Sequence, residues 1–498
     1  MFAPRFGAYV CAALLAGSLS YGLLRMPLQV HDSLDEILAA QQSPGVWASF
    51  TSTIGETAYF RPLRIAETKL LFDISGGHYF AAYKTFHIAL LVAAFVLFAG
   101  ALRIETRIDL AAALFALTVF TGLHTFLGLV KEAYPVNHFL QIVVLVLVAA
   151  RLSQARGRWW IDAAAIVAFV AACLTLESGV LVWVALVAGR LAGRRGVSDA
   201  ALIAVTALLA VYGVVRFAWL APNVQGMSNA SGYFLERLEA SQIRERFGAG
   251  LTRFNVYNVL VSMATVLCSE PRSGVFLFFR AWSLGDVPPR MWINVVSSTV
   301  TTAFIGVAAW RHLRHRGPGQ PSRSARRRSA EASAESDRSA SAPHEKTRAA
   351  IAGRADFLVF LALLAASAVA SLAYAKDEIM SVAGVFYALA AFWAVRDLLT
   401  RRLRAVPALA VALALLVAGS GWSMRTIGVN HVLRAQAFAF HNDWAWIPGD
   451  MERRGIWPSN PSARKVVMDL REQSLGMSIV VPWFVPRWAD RVFDVDYF

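Results

Sequence analysis

Charge is scarce in this chain. Asp, Glu, Lys and Arg make up 16% of its 498 residues, against roughly 25% in a water-soluble domain. With 57% apolar residues and a mean hydropathy of +0.50, a soluble globular protein is excluded and the bilayer becomes the solvent. Cysteine is rare too. Cys11 and Cys173 fall in apolar runs and Cys268 in a long loop, so no disulfide framework is expected and the redox compartment stays open. No repeat of fixed period is present, and the sequence reads as one integral membrane domain with an outer tail.

Acidic residues are outnumbered, and the net charge is +15. Such a balance raises the question of nucleic acid, but most bases stand in short loops between apolar runs, where they set topology. Nucleic acid is therefore not an expected partner. Membrane lipids are.

Segments of roughly 17–25 apolar residues mark candidate spans. Eleven are found, at about 8–28, 83–102, 109–129, 134–150, 160–176, 178–192, 199–220, 291–310, 355–375, 379–395 and 405–424. The first follows Arg5 as a signal peptide would, yet its length fits a helix that stays. Glu177 and Gly179 mark a tight hairpin between the fifth and sixth. With the N-terminus inside, Arg103, Arg107, Arg151, Arg156, Arg158, Arg190, Arg194, Arg195, Arg396, Arg401, Arg402 and Arg404 all fall on the inner side, while the short outer loops hold only Lys131 and Lys376. That asymmetry satisfies the positive-inside rule. It puts the outer loops at 29–82 and 221–290 and a tail at 425–498 outside, and a Ser/Ala/Arg-rich linker at 314–350 inside. The linker's composition cannot bury a core, so it reads as disordered.

Ionisable groups in apolar spans are expensive, so their depth is informative. Lys84 and His87 open the second span, His124 closes the third, and Asn137, His138 and Gln141 open the fourth. Glu177 stands at the hairpin, Arg216 near the end of the seventh span, and Lys376, Asp377 and Glu378 join the ninth to the tenth. All lie at outer ends, which points to a polar cavity opening outward. Long side chains at helix ends also snorkel to the interface, a reading that stays open for Lys84, Arg216 and Lys376. A transporter would place ionisable groups near the midplane on interrupted helices in two related halves, and neither feature is clear.

In the first outer loop, 33–42 and 61–73 read as short amphipathic helices lying in the interface, with a break at "SPG" (43–45) and with Leu63, Ala66, Leu70 and Leu71 on one face of the second. Arg61, Arg64 and Lys69 would then meet either a lipid phosphate or ordinary headgroups. The stretch "VHDSLDEIL" (30–38) divides in two. Ser33 and Glu36 match a capping box, and first-turn acids such as Asp35 also complement a helix dipole. Asp32 is left before the helix, where a carboxylate could act as general base. His31 would assist it or serve no role.

An inside N-terminus, an acidic motif after the first span, a long first outer loop and about eleven spans resemble the GT-C glycosyltransferases, integral enzymes that include the protein O-mannosyltransferases. The local likeness runs from about 10 to 190 and includes the acidic stretch at 31–36, "YFRPLR" (59–64), "HYFAAYKTFHIAL" (78–90), "KEAYPVNHF" (131–139) and "LESG" (176–179). The resemblance implies a catalytic acid in the first outer loop, which maps to Asp32 with Asp35 second. It also implies an architectural or phosphate-holding Arg at Arg61. The family's acidic pair is often contiguous, whereas Ser33 and Leu34 separate the pair here.

The expectation is an all-α integral membrane protein of the bacterial inner membrane, N-terminus cytoplasmic and C-terminus periplasmic. It would transfer a hexosyl or pentosyl group from a polyprenyl-phosphate donor on the outer face. Asp32 and Asp35 are the catalytic candidates, Arg61, Arg64, Arg216 and Lys376 the phosphate-binding ones, and His87, His138 and Glu177 the polar lining. A divalent cation is left unassigned. The alternative is a transporter or flippase without sugar transfer.

Overall fold

The computed structural model describes residues 4–52, 60–131, 134–220, 232–233, 236–237, 239–248, 251–268, 274–314, 341–401, 404–477 and 485–493, with the side chains of 31–32, 217, 232–233, 236–237, 240, 251, 274–277, 312–314 and 341–352 outside the described set. The chain is helical almost throughout: α1 (Pro4–Leu23), α2 (His31–Gln42), α3 (Val46–Ser52), α4 (Pro62–Ile74), α5 (Tyr79–Ala101), α6 (Arg107–Gly122), α7 (His124–Lys131), α8 (His138–Gln154), α9 (Trp159–Thr175), α10 (Val180–Leu191), α11 (Asp199–Gly213), α12 (Ala240–Phe247), α13 (Leu251–Leu267), α14 (Gly274–Ser283), α15 (Pro289–Arg314), α16 (Ser341–Ala370), α17 (Ser381–Leu399), α18 (Ala405–Arg453), α19 (Pro461–Leu475) and α20 (Ala489–Val492). Strands β1 (Gly232–Tyr233), β2 (Glu236–Arg237) and β3 (Tyr374–Ala375) pair in the order β2-β1-β3. This ribbon ties the segment after α11 to the residues just before Lys376.

Seven of the described helices are long and apolar enough to cross a membrane, or eight when the bent pair α6–α7 is taken as one; α8 and α9 are shorter and also apolar. The chain is a multi-pass membrane protein. Each of the eleven expected segments is largely helical, but length and composition qualify fewer of them as spans.

Local signals explain several helix starts. Thr106 accepts from the Asp109 amide and Asp109 accepts back from the Thr106 amide at 2.9 Å, a capping box opening α6. Asn137 caps α8 through the Leu140 amide, Ser198 caps α11, and Pro62 opens α4, where its missing N–H costs nothing. At the α9–α10 hairpin, Glu177–Gly179 forms one 3-10 turn. A Cβ at Gly179 would lie 2.3 Å from the Ala172 backbone, so only glycine fits.

The hub is α17, whose residues from Ser381 to Val395 are all buried, packed on α6, α15 and α16. Its Gly and Ala content permits such close approach, the usual currency of helix association in a bilayer. Charges at its C-terminal end are paired: Arg396 Nε lies 2.6 Å from Asp109 Oδ1, and Asp356 takes both Arg194 and the Trp393 indole N–H.

Three expectations change. The helix expected at 33–42 begins at His31, so Asp32 lies inside its first turn, and no side chain caps it. Ser33 is interior and Glu36 pairs with Arg64 instead: a charge partner 28 residues away outcompeted the local cap. The boundary expected at 424/425 does not break the chain, because nothing between Arg425 and Ile447 stops a helix and α18 runs on to Arg453 through Pro448. Of the linker expected at 314–350, residues 315–340 lie outside the described set, while α16 already begins at Ser341.

Candidate functional site

The segment expected as the first outer loop packs on the helix bundle, but α4 does not float on an apolar face. Its buried side includes Arg64, Ala66, Thr68, Lys69 and Leu71, whereas Leu70 is exposed. Burying two bases requires partners. Lys69 has Asp73 at 2.8 Å, and Arg64 has Glu36 on α2.

Around α4 the expected residues converge. Arg61 donates to Glu177 Oε2 from Nη2 at 2.9 Å and from Nε at 3.1 Å. Arg216 Nη2 lies 3.7 Å from the other Glu177 oxygen. Glu177 thus holds two arginines brought from positions 116 residues upstream and on the π-helical segment Val214–Leu220. π-helical turns are frequent at functional sites, and here the turn delivers a fully buried arginine. Beside this trio Arg64 Nη1 comes 3.5 Å from His138 Nε2, and its guanidinium lies 5.5 Å from the Tyr134 ring centre. Lys376 Nζ sits 3.8 Å from Glu378 and 5.1 Å from the ring centre of Phe139, which contacts His138. The charges of Arg64, Arg61 and Lys376 all act on the His138 ring.

Glu67, one turn after Arg64, accepts from Gln141 Nε2 at 2.9 Å. Burial pushes its carboxyl up to about 7, against the opposing effect of that hydrogen bond. Among the described residues, Tyr212 Oη, Glu67 Oε2 and Lys84 Nζ are buried without a hydrogen-bond partner.

Four bases, His138 and Glu177 are therefore gathered at one end of the bundle. His87 is placed apart from them: fully buried, it meets Asn137 Nδ2 at 3.1 Å and supports the start of α8. Asp35 is exposed on α2. The Asp32 side chain is outside the described set; its backbone lies one turn before Glu36, which puts the two positions on one side of α2. No group of three or more His, Cys, Asp and Glu able to hold a metal is found among the described residues.

Two contributors were not assigned to the site from sequence. Glu36 was assigned to a cap, and Glu67 was passed over because a glutamate on a short polar helix carries no signal of burial. Away from this cluster, Arg425 had been placed at the start of an outer tail. It is buried in α18, donating to Gly122 O at 2.9 Å and Ser298 Oγ at 2.9 Å with its guanidinium 4.4 Å from the Trp422 ring centre. The Gly122 carbonyl lies at the 58° bend between α6 and α7. A run of apolar sequence gives no warning of that bend.

Comparison with known proteins gives no match: no family model, no curated protein and no solved structure is similar to this chain.

Proposed function

We propose that the chain is a GT-C-type glycosyltransferase that moves a hexosyl or pentosyl group from a polyprenyl-phosphate donor to an acceptor on the outer face of a bacterial inner membrane. The carrying observation is the convergence of Arg61 and Arg216 on Glu177, with Arg64 and Lys376 beside His138. Forked guanidiniums suit a phosphate, and Glu177 keeps two of them in place until the phosphate arrives. The donor's tail would lie along the apolar spans, with α8, α9 and α10 completing eleven crossings and the N-terminus cytoplasmic.

Catalysis needs a base on the acceptor. Asp32 is assigned that role on the resemblance, Asp35 standing second, with α2 tied to the arginine cluster through Glu36. The decisive experiment expresses Asp32→Asn in a null strain and measures protein level with the lipid-linked and surface glycans. Loss of glycan at normal abundance supports the assignment, and full restoration ends it.

A transporter or flippase is the second reading, favoured by the interrupted helix at Gly122. It separates from the first in the same strain: a flippase leaves the sugar on its lipid carrier and changes only the side on which it is found.

A further inference from the structure

A cleft opens between the α6–α7 bend, the start of α15 and the middle of α18. Arg290, Arg425 and His124 line it together with Leu127, Val432 and Phe493. It is not part of the Glu177 cluster. The short turn Asp377–Met380 stands between the two: Lys376, just before it, reaches the Phe139 ring, while Asp377 Oδ2 lies 2.7 Å from His124 Nε2.

The cleft is built rather than incidental. Arg425 is fixed by Gly122 O, Ser298 Oγ and the Trp422 face, and His124 is oriented from behind by Asp377. Gly428 makes room for the Phe493 ring, which would stand 2.9 Å from a Cβ there. Its depth follows from the helix. From Ala405 to Arg425 a helix rises roughly 30 Å, the thickness of the hydrocarbon core, so a span that enters the membrane at Ala405 carries Arg425 to headgroup level.

We propose that this cleft holds the anionic headgroup of a membrane lipid, with Arg290 and Arg425 on the headgroup charge and the Leu127–Val432–Phe493 wall on the first part of the acyl chains. The apolar wall and the depth select a lipid over a free anion. The site does not depend on the reaction assigned to the Glu177 cluster, and it adds a second lipid contact to the molecule.

The test uses the full chain in nanodiscs of zwitterionic lipid containing a few per cent of photoreactive phosphatidylglycerol or, in a parallel arm, photoreactive phosphatidylcholine. Crosslinked positions are mapped by peptide mass spectrometry. The phosphatidylglycerol probe is expected to label the peptides around Leu127 and Val432 at least fivefold more than the phosphatidylcholine probe. Arg290→Gln and Val432→Trp should each cut that labelling at least fivefold, and Arg290→Lys should retain it, with unchanged melting temperatures showing that the fold is intact. Equal labelling by both probes, or labelling unchanged in Arg290→Gln and Val432→Trp, overturns the proposal. So does loss of labelling when excess inorganic phosphate is added, since the ligand would then be a free anion.

Discussion

Arg64 and Glu36 form an ion pair that fastens the second long helix of the first outer loop to the first. Arg64 is nearly enclosed, with its side chain 9% exposed, whereas Glu36 keeps 26%. Removing the carboxylate strands a charge that has little water to fall back on.

Glu36→Gln is therefore expected to lower stability by about 2 kcal/mol, a figure reduced from the 3–5 kcal/mol of fully buried pairs because Glu36 is partly wet. Thermal unfolding in detergent checks it, and Arg64→Met with Glu36→Leu should regain part of the loss. Were Glu36 only a cap residue, the loss in Glu36→Gln would be well under 1 kcal/mol and the paired substitution would regain nothing.

The Arg61–Glu177 pair separates architecture from binding. Both side chains are partly exposed, 22% and 32%, so Arg61→Ala should cost only about 1 kcal/mol of stability. On the proposed function its cost to transfer should be far larger, on the order of 100-fold, because the proposed forked contact with the donor phosphate would be lost. Glu177→Gln should leave the arginines in place but loosened, with a smaller effect. Transfer assays with a synthetic lipid-phosphate sugar, read beside melting temperatures, distinguish the two kinds of loss.

The order of elements was legible because hydropathy alone reports it: all eleven apolar segments contain helix. The candidate site was legible only as a list of residues at outer ends. That Arg61, Arg216 and Glu177 meet could not be read, since their separation in sequence carries no geometric information and the hairpin fixes Glu177 only relative to α9 and α10. The misassigned residues have a common cause. Glu36 and Arg425 both sat beside a strong local signal, a Ser-x-x-Glu spacing and the end of an apolar run, and in both a distant partner overrode it: Arg64 for the one, the Gly122 carbonyl at the α6–α7 bend for the other. Local patterns are cheap to override when the alternative is an unpaired buried charge or carbonyl.

Glu67 makes stability depend on pH. Its folded pKa is about 7, above the ordinary value of 4.5, so the folded state holds a proton that the unfolded state releases. The stabilisation is present below pH 4.5 and is lost as pH rises through 7. With partial exposure the swing is on the order of 2 kcal/mol. Glu67→Gln should flatten the melting temperature between pH 4.5 and 7 and raise it at pH 8. An unchanged pH profile in that variant would show that another group carries the dependence.

The hairpin that presents Glu177 rests on Gly179. A methyl group there would stand 2.3 Å from the Ala172 carbonyl carbon and oxygen, and both are backbone that cannot swing aside. Gly179→Ala must push α9 and α10 apart, and the Arg61 and Arg216 contacts with Glu177 should loosen with them. The expected cost is about 3 kcal/mol, at the upper end of overpacking effects, with protein abundance and transfer falling together. Gly449 on α18 is the matched control, since a Cβ there meets nothing within 4 Å. Gly449→Ala should be neutral or stabilising by up to about 1 kcal/mol through helix propensity. If Gly179→Ala melts with the wild type and transfers at its rate, the close approach of the two backbones is not what positions Glu177.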